Sequence, residues 1–414
     1  MTIHSAQREF AVDVVRRLRD AGYEAVWAGG CVRDELLGLV PKDYDVATNA
    51  TPEQVRGVFG HRRTLAIGAA FGVIAVLGPK RIGPVEVATF RRDLSYSDGR
   101  RPDAVAFTTA EEDAQRRDFT INGLFYDPID ERVHDFVGGQ DDLKRRVVRA
   151  IGDPTARFTE DKLRMLRAVR IAATFDFVVE AATFAAVRAM AAEIDAVSAE
   201  RIAAELRRML VDARRDRAIE LLAESGLLGV LLPEAGESVR PSSPPLLAAR
   251  RLIAAFESPS FALALGATFY ALGLARSAAA IGRRWRLSND EIDRSHYLAE
   301  HAESLDAATE MPWSKLQRML VHPFATELVA VHAARACIGD GNADAVALCQ
   351  ERLAWPRERL DPPPLISGDD LNAHGVRPGP RYKLLLDQIR DAQLDGEVGT
   401  REEALQVVDK LARK

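Results

Sequence analysis

The chain changes texture near residue 150, and that change limits the folds open to it. Before it, Glu24 to Ala28, Val73 to Leu77, Val85 to Phe90 and Leu124 to Tyr126 are rich in β-branched or aromatic residues and bounded by glycine or charged turns, which predicts strands of a small mixed sheet. After it, Ala-, Leu- and Arg-rich stretches recur at helical spacing. The expected class is α+β, a mixed sheet with helices followed by all-helical domains. At 414 residues the chain exceeds one ordinary core. Proline clusters at Val239 to Pro245 and Pro356 to Pro364 break the helical part. The expected divisions are 1–150, 151–238, 239–360 and 361–414.

With 47% hydrophobic and 28% charged residues, the chain has the composition of a globular protein. A net charge of −5 argues against gripping nucleic acid by overall charge and leaves local arginine patches to do so. Cys31, Cys337 and Cys349 fit neither a disulfide framework nor a zinc site, which points to a reducing compartment, the cytosol. The stretch after Met1 lacks the apolar core of a signal peptide. Phe261 to Ile281 is apolar but interrupted by Arg276 and rich in small residues, so a buried helix is expected there and no membrane span.

Chemistry first appears at Ala28-Gly29-Gly30-Cys31-Val32-Arg33-Asp34, between an apolar run and a helical stretch. Two glycines let the backbone approach a triphosphate, and Arg33 can pair with phosphate oxygens. Lys42-Asp43-Tyr44-Asp45 follows, and in an extended strand Asp43 and Asp45 share one face while Tyr44 takes the other. Two such carboxylates can hold Mg²⁺ ions that activate a hydroxyl and stabilise leaving pyrophosphate. Glu86, a lone acid in a β-rich run, is the candidate third carboxylate.

Gly29-Gly30-x-Val32-Arg33-Asp34 followed by Asp43-x-Asp45 resembles the signature of the bacterial-type (class II) tRNA nucleotidyltransferase and poly(A) polymerase family. The resemblance continues through Arg116-Arg117-Asp118-Phe119-Thr120-Ile121-Asn122, Asp135-Phe136-Val137-Gly138-Gly139, Glu160-Asp161-x-x-Arg164-x-x-Arg167 and Glu200-Arg201-x-x-x-Glu205-Leu206. It implies a polymerase β-like head at 1–150, a neck at 151–238, a body at 239–360 and a tail at 361–414. It further implies Mg²⁺ as cofactor, CTP and ATP as substrates and tRNA as partner, held at its 3′ end and elbow, with no protein partner. Ser367-Gly368-Asp369-Asp370-Leu371 with Gly375, Pro378 and Gly379 is similar to the family's elbow-holding tail, whereas Lys383 stands where a small residue is usual. Gly123 replaces a more usual alanine, so slightly looser packing is expected there. Arg91 to Pro102 has the composition of a mobile loop, and the resemblance implies that it helps the pocket pass from C to A.

Arg117 is expected on the triphosphate, Asp118 on a ribose hydroxyl and Asn122 on the backbone around the site. Asp161 and Arg164, one helical turn apart, are expected on one face, with Arg167 and Arg170 extending the row into a cleft. Aspartate accepts and arginine donates. Cytosine and adenine both present an amino donor beside a ring-nitrogen acceptor, so this pair satisfies C and A and leaves U and G mismatched. His134-Asp135 lacks the partner histidines of a metal phosphohydrolase and reads as part of a hairpin. Arg283-Arg284-Trp285-Arg286 reads equally as a phosphate contact with stacking or as an interhelical cap. The leading reading is addition of C, C and A to tRNA ends. Its alternatives are poly(A) synthesis or partial CC or A addition, and, from another class, a noncatalytic RNA-binding module.

Overall fold

The computed structural model describes residues 3–68, 71–79, 82–93, 104–376, 379 and 381–412. Most of the loop at 91–102 therefore lies outside the described residues, as does Pro378. The chain divides into two compact units, Met1–Pro233 and Glu234–Lys414.

The first unit opens with helix α1 (Ile3–Asp20), β1 (Ala25–Ala28), α2 (Gly30–Leu36), β2 (Asp45–Thr48) and α3 (Pro52–Phe59). β3 (Thr64–Gly68), β4 (Val73–Val76) and β5 (Val85–Thr89) follow, then a ribbon of β6 (Arg91–Asp93) and β7 (Val105–Phe107), and α4 (Ala110–Gln115). A hairpin of β8 (Phe125–Asp127) and β9 (Arg132–His134) completes one mixed sheet of order β3-β4-β5-β2-β1-β8-β9. All its pairings are antiparallel except β2 with β5. The expected strands correspond to β1, β4, β5 and β8, because each carries the apolar run that a covered sheet needs.

Both faces of the sheet are covered near its centre. On one, Val26, Ala28, Ala47, Phe90 and Phe125 pack with Ala110 and Ala114 of α4. On the other, Trp27 of β1 and Tyr44 are buried, and α1 packs against β1, β2 and β5. Within the hairpin turn, Asp127 Oδ1 accepts the amides of Ile129 and Asp130. Asp135 accepts the amides of Val137, Gly139 and Gln140, so it organises the entry to α5 (Gly139–Arg145).

Gly123 corrects an expectation. A methyl there would meet Val137 Cγ2 at 2.7 Å and Ile151 Cδ1 at 3.1 Å, so the position is tight, not loose. Neighbouring side chains occupy the space that the usual alanine would take.

After a short parallel pair, β10 (Val147–Val148) with β11 (Val178–Val179), the unit is helical: α6 (Pro154–Glu160), α7 (Leu163–Phe175), α8 (Ala181–Met190), α9 (Ala199–Leu210), α10 (Arg215–Glu224) and α11 (Leu227–Leu231). α7 packs against α9 and α10 and is buried almost all round.

The second unit is helical among its described residues. Phe261–Ala271 is a buried helix, as expected, and Gly266 lets it approach Asn289–Glu300, since a Cβ there would lie 2.9 Å from Leu298 Cβ. The apolar run does not continue to Ile281 as one helix, because Gly273 turns the chain at φ 73°. No helix among the described residues is long and apolar enough to cross a membrane. Trp285 is buried and packs on Phe269, and Arg284 pairs with Glu234, which favours the interhelical reading of that segment over an open stacking platform. Lys383 is exposed, so it interrupts no close helix packing.

Candidate active site

β1 runs into Gly29, whose φ of 77° suits glycine and whose amide donates to Leu124 O at 3.1 Å. A Cβ at Gly29 would stand 3.0 Å from Arg117 Nη1, so the missing side chain is what lets this guanidinium lie against the turn. Arg117 is held by Asp113 at 2.9 Å and lies 4.9 Å over the Phe125 ring. Burial alone pushes the Asp113 carboxyl up, but Arg117 and Arg116 outweigh it and hold the group below its ordinary value. Arg33 Nη1 donates to Asn122 Oδ1 at 2.7 Å, Nη2 donates to Asp34 Oδ1 at 2.7 Å, and the guanidinium lies 4.3 Å over Phe175 of α7. Two oriented guanidiniums thus belong to the environment of one glycine turn.

The parallel pairing of β2 with β5 sets Asp45 directly beside Glu86. Val46 and Val87, next in register, are buried, whereas Asp45 and Glu86 are exposed on the opposite face. Asp43, in a bend, and Tyr44 both precede β2, so strand geometry begins at Asp45 and does not by itself set Asp43 on the same face. Although its carboxyl reaches solvent, the surrounding protein pushes the Asp45 pKa up to about 7, Asp43 and Glu86 push the same way, and Arg117 pulls it down. An oxygen-only set of this kind suits a hard dication. Among the described residues no three His, Cys, Asp or Glu side chains form a ready-made cage. One or two carboxylates completed by nucleotide phosphates and water is the usual coordination of Mg²⁺, and these residues fit it.

The helical side differs from its expected form. Asp161 is not on α7: it has φ −150° and ψ 104° between α6 and α7, and its Oδ1 accepts the Leu163 amide at 3.1 Å. Aspartate's short acceptor side chain competes with the helix for that amide, which breaks the expected helical row. Arg201 of α9, to which the sequence had assigned no role, donates to both Asp161 oxygens at 3.1 and 2.7 Å. Arg164 is buried, with Nη1 on Glu160 Oε2 at 2.6 Å and Arg157 O at 3.0 Å, and Nη2 on Arg116 O at 3.3 Å.

Asp118 is also buried, and its Oδ1 accepts from Asn122 Nδ2 and the Phe119 amide, while Oδ2 takes Arg167 at 2.8 and 2.6 Å. Burial alone pushes this carboxyl up, but Arg167 and Asn122 overcome it and bring the pKa down to about 2. Asp118 therefore organises Asn122 and Arg167 where a ribose contact was expected. Asn122 in turn links Asp118 to Arg33, so it anchors side chains as well as backbone. Arg170 pairs with Glu205 of α9 at 2.6 Å, one helical turn along α9 from the Arg201 that holds Asp161.

Fold and site together define a nucleotidyltransferase. The poly A polymerase head domain matches residues 25–149, and the probable RNA and SrmB-binding site of polymerase A matches residues 176–237. The CCA-adding enzyme of Geobacillus thermodenitrificans is 38% identical over 291 residues, covering 69% of this chain and 68% of the relative, and that of Limosilactobacillus fermentum is 41% identical over 214 residues, covering 51% and 52%. The chain belongs to the CCA-adding enzyme family. Its structure resembles that of the Bacillus stearothermophilus CCA-adding enzyme in complex with CTP, with a TM-score of 0.76, 27% identity and 98% of each chain covered. The Thermotoga maritima CCA-adding enzyme complexed with tRNA shares the fold at a TM-score of 0.69 and 20% identity, over 97% of this chain and 95% of that one.

Proposed function

We propose that the chain adds C, C and A without a nucleic-acid template to the 3′ end of tRNA from CTP and ATP, releasing pyrophosphate, in the cytoplasm and with Mg²⁺. The observation that carries this is the register of Asp45 against Glu86, with Arg117 acting on the same carboxylate from the glycine turn. Arg117 and Arg33 hold the triphosphate, and Gly29 and Gly30 let it approach the backbone. Asp43 and Asp45 would hold the ions with Glu86 in support, and Mg²⁺ bound there would supply charge neutralisation and activation of the RNA 3′-hydroxyl. The hydroxyl releases its proton to solvent, and its oxygen bonds to the α-phosphorus as the bond from that phosphorus to pyrophosphate breaks.

Base choice falls to Asp161 and Arg164. Asp161 keeps acceptor capacity beyond Arg201, and the bonds of Arg164 use Nη1 and Nη2 and leave its Nε donor for a base. Arg167 and Arg170 line and support this side through Asp118 and Glu205. In this reading 1–150 is the catalytic head, 151–238 the neck that carries base choice, 239–360 the body, and 361–414 the tail that holds the tRNA elbow.

The test supplies Mg²⁺ and each nucleotide, separately and together, to tRNA transcripts lacking CCA or ending in C or CC. Two C additions and one A, then arrest, are expected. Long A tails, arrest after CC, or no addition overturns the reading.

A further inference from the structure

The glycine turn and the acidic segment before β2 are joined by a closed ring of four side chains. Tyr44, between Asp43 and Asp45, is buried with its ring 4.7 Å from that of Trp27. Its hydroxyl donates to Glu35 Oε1 at 2.7 Å. The same oxygen accepts from Arg8 Nε at 3.1 Å, and the Arg8 guanidinium lies 5.2 Å over Trp27, which closes the ring. A second tether runs parallel to it: Cys31 Sγ lies 3.4 Å from Ala28 O and 3.8 Å from Asp45 O.

Glu35 and Cys31 both sit on α2, the helix that leaves the glycine turn and carries Arg33. Residues 37–44, between α2 and β2, have no regular structure, so no ladder or helix bonds fix the backbone at Asp43. Pro41 and Tyr44 are the buried residues of that stretch, and of the two only Tyr44 carries a polar group that can aim it. Packing on Trp27 requires only a ring, and phenylalanine would supply one. The hydroxyl adds a directional bond to a carboxylate whose side chain is 26% exposed, which aims the Asp43-to-Asp45 backbone at the helix of the phosphate turn.

We infer that Tyr44 and Glu35 are positioning residues: their hydrogen bond fixes the carboxylates relative to the Gly29-to-Arg33 turn, and thereby the ions relative to the triphosphate. The inference rests on the proposed function of this site. Displacements of about 1 Å in such a constellation cost one to two powers of ten in rate.

The full-length chain is compared with Y44F, E35A, E35Q and Y44F/E35A. The readouts are Mn²⁺ binding by electron paramagnetic resonance without nucleotide, kcat and KM for tRNA lacking CCA at saturating CTP, and Tm. Y44F and E35A should each lower kcat by about tenfold and weaken Mn²⁺ binding several-fold, with KM for tRNA unchanged. The double variant should be no worse than the poorer single variant, because both remove one bond. E35Q, whose amide oxygen still accepts from Tyr44, should recover most of the loss. Lowered Tm with kcat and Mn²⁺ affinity at the parent level, or losses that multiply in the double variant, overturns the inference. A parent chain that adds no nucleotide defeats the proposed function instead, and the Mn²⁺ comparison still decides the coupling.

Discussion

Asp45 and Glu86 are direct neighbours across the parallel pair of β2 and β5, the one parallel pairing in the seven-stranded sheet. Their shared exposed face makes Glu86 part of the carboxylate group, although α3, a helical turn at His61–Arg63, two strands and their connecting loops separate it from Asp45 in the chain. Asp45→Asn is expected to lower single-turnover CTP incorporation by about 10³-fold, about 4 kcal/mol of transition-state stabilisation. Glu86→Gln should lower it by about tenfold to a hundredfold, as expected of a supporting oxygen donor. A Glu86→Gln protein at full rate would return that residue to the role of an ordinary strand acid.

Base choice should depend on Asp161 and, through it, on Arg201. Asp161→Ala is expected to reduce the preference for CTP and ATP over UTP and GTP by about ten- to a hundredfold in kcat/KM, because mismatched bases no longer face an unpaired buried acceptor. Arg201→Ala should relax selectivity in the same direction by less, since it frees Asp161 without removing it. Unchanged selectivity ratios in both variants would show that the bases are read elsewhere.

The Asp118–Arg167 pair gives a pH signature. Its folded pKa of about 2 lies below the ordinary 3.8, so the stabilisation is fully present above that ordinary value and is lost as pH falls towards 2. The shift corresponds to about 2 kcal/mol. Urea titrations should therefore find Asp118→Asn less stable than the parent by at least this amount at pH 7, with the gap closing below about pH 4. A gap that stays constant down to pH 2 would mean that the loss arises from packing and not from the charge pair.

Gly123→Ala should destabilise the first unit by about 1 to 3 kcal/mol, because the added methyl meets Val137 and Ile151. Gly29→Ala should act differently, displacing Arg117 and straining a left-handed backbone, so its expected signature is a raised KM for CTP. Thermal melts and nucleotide titrations separate the two outcomes.

The sequence by itself determined the α+β class, the strands β1, β4, β5 and β8 and the glycine turn before α2. All of these are written in short-range alternation and local turn chemistry, which depend on residues a few positions apart. Glu86 was a candidate on the same ground, as an acid among β-branched neighbours. Tertiary structure alone decided that β2 and β5 lie in parallel, that Arg201 reaches across from α9 to hold Asp161, and that Arg8, Trp27, Glu35 and Tyr44 close into a ring. It also corrected the helix: Asp161 and Arg164 have helical spacing, yet the Asp161 side chain takes the Leu163 amide and bends the chain between them. Spacing fixes which neighbours a residue can have along its own element. Partners on other elements are selected by packing and by the need of each buried charge for a counterpart, and those depend on the assembled fold.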